Sequence, residues 1–378
     1  MLYRKFGPTN EEISVLGFGC MRFPTVDGKD DQIDEEKATE MLRYAIDQGV
    51  NYVDTAYPYH GGMSEPFVGR ALKNGYREKV HLATKLPSWL IKKREDMDYY
   101  LDEQLKRLQT DHIDFYLVHA LNQERWNNLK TLNIFEFLDA AIADGRVKYV
   151  GFSFHDELPL FKEIVDAYDW TFCQIQYNYL DEAYQAGKEG FEYAASRGLG
   201  VIIMEPLLGG KIATNIPKDI QAVWDQATVK KSPVEWALQF LWDNPRTGIV
   251  LSGMSDMAQV VENIEIADKA LPNTLTDEEK DLIEAVKKIY KSRIKVNCTN
   301  CRYCMPCPAG VDIPESFSHF NNAFMFDDMD GAKKQYHNFI KEKKRASKCV
   351  TCRKCEEVCP QHIPISDMLK EVVHTFER

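Results

Sequence analysis

Ten cysteines occur in 378 residues, and eight of them fall in two short runs late in the chain. The first run is Cys298, Cys301, Cys304 and Cys307, closed by Pro308. The second is Cys349, Cys352, Cys355 and Cys359, closed by Pro360. The second run reads C-x2-C-x2-C-x3-C-P, the spacing that holds a [4Fe–4S] cube. Two runs imply two cubes and one-electron chemistry. Paired C-x2-C spacings also build zinc sites, but zinc gives the proline that trails both runs no purpose. A disulfide framework would need export, and Met1-Leu-Tyr-Arg-Lys-Phe leads into no apolar run. The first run closes with two intervening residues, Met305 and Pro306, where the second has three. Paired runs exchange their fourth ligand. Cys298, Cys301, Cys304 and Cys359 are therefore expected around one cube, and Cys349, Cys352, Cys355 and Cys307 around the other. Cys20 and Cys173 stand apart and are read as core packing.

A second group of reactive side chains follows short apolar runs in the first half. Asp54-Thr-Ala-Tyr-Pro-Tyr59 follows one, Thr84-Lys85 ends the next, and Ile-Asp-Phe-Tyr-Leu-Val leads into His119. Singly these are ordinary: a histidine there usually satisfies a hydrogen bond, and a buried lysine closes an ion pair. Together they fit one reaction. A carbonyl reduced by hydride needs a proton on its oxygen. Tyrosine, with a pKa of about 10, is a slow acid at neutral pH, and a nearby ammonium favours its phenolate. Lys85, held by Asp54, could tune Tyr59 in this way. His119 could orient the carbonyl oxygen and stabilise charge developing on it.

Those positions require strands to carry them. Residues 1–270 alternate apolar runs with amphipathic ones. The runs are Ile13–Cys20, Tyr52–Thr55, Val80–Thr84, Ile113–Val118, Val147–Phe152, Phe172–Tyr177, Gly200–Met204 and Ile249–Leu251. Helical patterns lie between them at about 35–49, 64–75, 95–109, 132–144, 158–168, 184–197, 232–243 and 256–269. Eight such units predict an α/β chain with a (β/α)8 TIM barrel, whose chemistry sits where strands end. No G-x-G-x-x-G follows an early strand.

Asp54-Thr-Ala-x-x-Tyr59, then Ser64-Glu65, Gly69, Lys85 and His119, resembles the aldo/keto reductases over about residues 1–290. The resemblance implies a catalytic tetrad of Asp54, Tyr59, Lys85 and His119, and a nicotinamide dinucleotide, NAD(P)H, bound without a Rossmann fold. It also implies that Ser153 and Gln174 grip the carboxamide, with Phe154 standing where the family has Asn. Met204 stands where a ring-stacking Tyr is usual. Ser252–Asn263 resembles the adenosine-phosphate clamp, which makes Gly253, Gln259, Glu262 and Asn263 cofactor contacts. Gly253 and Gln259 fall where NADPH-specific members carry cations, so no strong NADPH preference is expected. His60, His155, Trp89, Tyr57 and Phe23 are candidate pocket walls.

After Pro272, Thr276-Asp-Glu-Glu opens a helix running to about Ser292. Pro314–Phe326 and Met329–Arg345 read as helices between the cysteine runs. The tail therefore resembles a small, mainly helical ferredoxin-like domain, with boundaries expected at 1–290 and 291–378. The formal charge of −11 argues against nucleic acid as a partner. No run of eighteen apolar residues is present to span a membrane. Thiolate clusters need a reducing compartment, so a cytoplasmic protein is expected. The expected partners are a small carbonyl or alcohol substrate and a one-electron redox protein. Nicotinamide passes two electrons and a cube passes one, so a flavin is a further candidate cofactor. In the competing reading the iron–sulfur domain senses redox state or braces the reductase and carries no electrons.

Overall fold

The computed structural model describes residues 1–378. Tertiary contacts divide them into two units: Met1–Ala213 with Lys231–Thr276, and Thr214–Lys230 with Asp277–Arg378.

The first unit holds ten strands: β1 (Tyr3–Lys5), β2 (Glu12–Ser14), β3 (Leu16–Gly19), β4 (Tyr52–Asp54), β5 (His81–Leu86), β6 (Ile113–Leu121), β7 (Val147–Phe154), β8 (Phe172–Gln176), β9 (Gly200–Met204) and β10 (Thr247–Ser252). Strands β3 to β10 form a closed parallel barrel in which β10 pairs with both β9 and β3. The predicted eight-stranded TIM barrel is the observed fold, with helices following its strands. The run Ile13–Cys20 is two strands broken at Val15, because β2 turns back on β1 as an antiparallel hairpin. Phe6, in that hairpin's turn, is buried against Phe115 at 5.6 Å and Phe172 at 6.1 Å. Gly200 and Gly248 leave the room it occupies, since a Cβ on either would lie 2.6 Å from its ring.

Strand β6 is irregular where it matters. Its register with β7 shifts between Val118 and Leu121. Ala120 sits in the left-handed region at φ 52°, a conformation rare for a residue with a Cβ. Such bulges re-aim side chains at strand ends. Asn122 then accepts a hydrogen bond from Arg125 N at 2.9 Å and caps the helix Gln123–Thr131. The stretch Leu121–Asn128 is therefore a strand end and a capped helix.

The second unit is helical: Lys218–Trp224, Asp277–Ser292, Ile313–Met325, Met329–Phe339 and Ile365–Phe376 are its longer helices. Phe317, Phe320, Tyr336, Leu369, Val372 and Phe376 form its core. The helix predicted over Met329–Arg345 stops at Phe339. Ile340 turns extended and is buried, and the Arg345 guanidinium donates to the freed carbonyls of His337 and Ile340. The final helix, Ile365–Phe376, and the short Lys218–Trp224 were not expected from the sequence.

Candidate active site and cysteine cavities

Asp54 ends β4, Lys85 lies near the end of β5, and His119 lies on the bulged end of β6, all at the C-terminal rim of the barrel. Lys85 is fully buried. Its Nζ donates to Asp54 Oδ1 at 2.7 Å, to the Thr55 carbonyl at 2.8 Å and to the Tyr59 hydroxyl at 3.4 Å. The Tyr59 and His119 rings stand edge to face at 6.3 Å. The four sequence candidates thus converge on one point. Burial works against the Lys85 ammonium, but Asp54 and Tyr59 outweigh it and hold the group above its ordinary pKa. Burial raises Tyr59, and Lys85 pulls it part of the way back. Burial lowers His119 well below the ordinary value, and the Lys85 charge adds to this. The site therefore holds a cationic lysine, a protonated phenol and a neutral imidazole.

A buried polar network stands behind the tetrad. Glu65 accepts from Thr84 Oγ1 at 2.7 Å and from Gln104 Nε2 at 2.6 Å. Gln104 also donates to the Lys85 carbonyl at 3.0 Å and accepts from the Tyr116 hydroxyl at 2.9 Å. This network fixes the strand segment from which Lys85 projects.

The cofactor candidates ring the same mouth. Gln174, on β8, donates to Met204 Sδ at 3.6 Å, and its Oε1 is buried with no partner in the protein. That orphaned acceptor fits a carboxamide NH2, because a buried acceptor left bare is costly. Ser153 Oγ accepts from Ala120 N at 2.7 Å. Phe154, in the Asn position, is buried in the core against Phe161 at 5.2 Å. Asn263 donates to Ser252 Oγ at 2.8 Å, and Glu262 accepts from Ser232 Oγ at 2.8 Å. Gln259 accepts from Ser255 N at 2.9 Å and helps Asp256 cap the helix Met257–Ala267. Gly253 packs under the stem of Arg22, whose Nη2 approaches Gly209. Arg22 follows the first barrel strand closely in sequence, and nothing in its spacing signals this placement. His60 is turned inward: it accepts from Phe23 N at 3.2 Å and lies 2.8 Å from the Asp30 carbonyl. It is buried and packs against the Phe23 ring at 5.9 Å.

In the second unit, Cys298, Cys301, Cys304 and Cys359 line one small cavity, and Cys307, Cys349, Cys352 and Cys355 line another. Each cavity thus takes three cysteines from one run and its fourth from the other. Ile313, Phe317 and Arg302 also line the first, and Ile313, Leu369 and Arg353 the second. All eight cysteines are free thiols. Burial pushes Cys304 up to about 11, and Cys298, Cys301 and Cys359 add to the shift. Cysteine thiolates are soft ligands, and four at one cavity suit an iron–sulfur cluster.

The sequence profile of the Aldo/keto reductase family matches residues 15–288. The chain belongs to the aldo/keto reductase family. Its C-terminal part matches a 4Fe-4S dicluster domain over residues 297–363. Among aldo/keto reductases and related oxidoreductases, the chain is similar to the uncharacterized oxidoreductase YqkF of Bacillus subtilis, at 28% identity over 77% of this chain and 99% of that protein. It is also similar to the L-galactose dehydrogenase of Arabidopsis thaliana, at 26% identity over 76% of this chain and 95% of that protein. The solved structure of the aldo-keto reductase AKR11C1 from Bacillus halodurans, in its holo form, aligns with a TM-score of 0.64. Its identity is 27%, covering 76% of this chain and 96% of that one. The chain is an aldo/keto reductase-type oxidoreductase carrying a 4Fe-4S domain. None of its helices is long and apolar enough to cross a membrane.

Proposed function

We propose that this aldo/keto reductase interconverts a small carbonyl compound and its alcohol at Asp54, Tyr59, Lys85 and His119. The observation that carries the reading is the buried Lys85 ammonium bridging Asp54 and Tyr59 at the barrel mouth. Bound nicotinamide supplies or accepts the hydride. Tyr59 gives its proton to the carbonyl oxygen, and Lys85 stabilises the phenolate left behind. Asp54 keeps Lys85 charged and in place. Neutral His119 donates a hydrogen bond to the same oxygen. Gln174 and Ser153 orient the carboxamide, and Met204 packs on the ring. Arg22 and the Leu208–Gly210 turn, where Leu208, Gly209 and Gly210 all have positive φ, receive the pyrophosphate. That contact is common to NADH and NADPH. Tyr59→Phe tests the reading: the chemical step should slow on the order of a hundredfold or more with cofactor affinity kept. Wild-type turnover in that variant would end it.

The two cysteine sets are proposed to hold one [4Fe–4S] cube each and to link the barrel to a one-electron carrier. A flavin that splits the electron pair is placed on the partner. The second reading, a structural brace, has its own support, because six of the eight cysteines pack against the apolar core of their unit. Freeze-quenched spectra separate the two. Cubes that become reduced during turnover support conduction, and cubes that stay oxidised throughout support the brace.

A further inference from the structure

One guanidinium at the barrel mouth has no acid to answer it. Arg125 lies in the first turn of the helix after β6 and is partly buried. Its Nη1 donates to the Ala120 carbonyl at 2.6 Å. The only carboxylate that acts on it is Glu124, its neighbour in sequence, while burial pushes its pKa down. Its Cζ lies 5.4 Å from the centre of the Trp89 ring, and Trp89 lies 5.1 Å from the His119 ring. The charge of Arg125 reaches both His119 and His155 and disfavours protonation of each. His155 Nδ1 faces Gln185 Nε2 at 3.4 Å, and Gln185 Oε1 is buried without a partner. Trp89, Arg125, His155 and Gln185 come from the segments after β5, β6, β7 and β8, so four consecutive loops meet around His119.

The backbone holds this arrangement in place. The left-handed Ala120 turns its carbonyl to Arg125 and its N–H to Ser153. Strain of this kind persists where the surroundings over-determine it, and it gathers at functional sites. A desolvated guanidinium keeps four further N–H donors for a planar anion. We infer that Arg125 is a specificity residue that binds a carboxylate on the substrate, so that the enzyme acts on carbonyl compounds carrying a nearby acidic group. Trp89 flanks the guanidinium, and the Gln185 carboxamide oxygen remains free to accept a hydrogen bond. The inference rests on the tetrad reading for the position of the reacting carbonyl, and on the unpaired guanidinium for the anion.

The test compares succinate semialdehyde with its methyl ester as substrates of the reconstituted holoenzyme. Wild type should favour the acid in kcat/KM by at least tenfold. Arg125→Gln should cut that ratio tenfold to a hundredfold through KM, as loss of a charge-assisted hydrogen bond predicts. Arg125→Lys should recover part of it. Equal use of acid and ester by wild type, or equal losses on both in Arg125→Gln, would overturn the assignment. Binding is read separately by titrating succinate against intrinsic tryptophan fluorescence. The dissociation constant should rise at least tenfold in Arg125→Gln and much less in Arg125→Lys. An unchanged constant in Arg125→Gln overturns the anion site whatever the turnover data show. Full activity in Tyr59→Phe would sink the tetrad and leave the binding result standing.

Discussion

Tyr59 is held between two opposing influences: burial favours its neutral form and the Lys85 ammonium favours the phenolate. Burial wins, so the acid survives above the ordinary tyrosine pKa of about 10. The reduction rate should therefore hold through neutral and mildly alkaline pH and fall only as pH rises through that elevated value. Oxidation of the alcohol needs the phenolate and should climb over the same interval. A pH–rate profile in both directions checks this. Lys85→Met removes the one influence that lowers the phenol, so the alkaline limb should move further up. It also leaves Asp54 buried without its cation, a loss on the order of 3–5 kcal/mol. Urea unfolding measures that loss, and a variant as stable as wild type would show that Asp54 is not ionised. These four residues were legible because strand ends and residue types announce them. Arg125 and Arg22 were not, since a guanidinium's value depends on the acids that fail to meet it, and spacing does not reveal them.

Among the elements, the helix Ser64–Ala71 lies against the helix Glu95–Leu108 at Gly69. A Cβ on Gly69 would sit 2.7 Å from the backbone of Arg107 and Leu108. Backbone does not yield as a side chain does, so Gly69→Ala should cost about 1–3 kcal/mol. Because Glu65 and Gln104 belong to these same helices, activity should fall with stability. Thermal unfolding and kcat measured together check the coupling. The barrel strands were legible from their apolar runs, since a strand buried on both faces needs little polar residue along its length. The hairpin Tyr3–Ser14 was not, because its short strands carry no clear alternation. The bulge at Ala120 was hidden as well: nothing in His119-Ala120-Leu121 announces a left-handed alanine. The final helix was not expected either, although its apolar residues Ile365, Leu369, Val372 and Phe376 recur at helical spacing.

Over the whole molecule, charge is unevenly shared. Residues 291–378 hold 15 Lys and Arg against 11 Asp and Glu, a formal +4, whereas residues 1–290 carry −15. A one-electron partner recruited by the tail should therefore be acidic, and its electron-transfer rate should fall as salt rises. Stopped-flow measurements across ionic strength test this. Protein purified anaerobically should contain close to eight irons and eight sulfides per chain. Cys298→Ala and Cys355→Ala should each remove one cube, and zinc as the main metal would refute the assignment. NADH and NADPH should bind within about tenfold of each other, because Gly253 and Gln259 offer a 2′-phosphate no cation and the proposed Arg22 contact is to the group both share. Titration of both dinucleotides decides it. The exchange of Cys307 and Cys359 between the cavities has a consequence for biosynthesis. A ribosome that has delivered the whole first run has still not delivered the last wall of the first cavity. The second cavity takes Cys307 from the run made before it. With the proposed ligation neither cube can be finished without both runs, so a nascent chain ending at Val350 should emerge without a stable cube. Maturation would then be a single late event, completed only after both runs have left the exit tunnel.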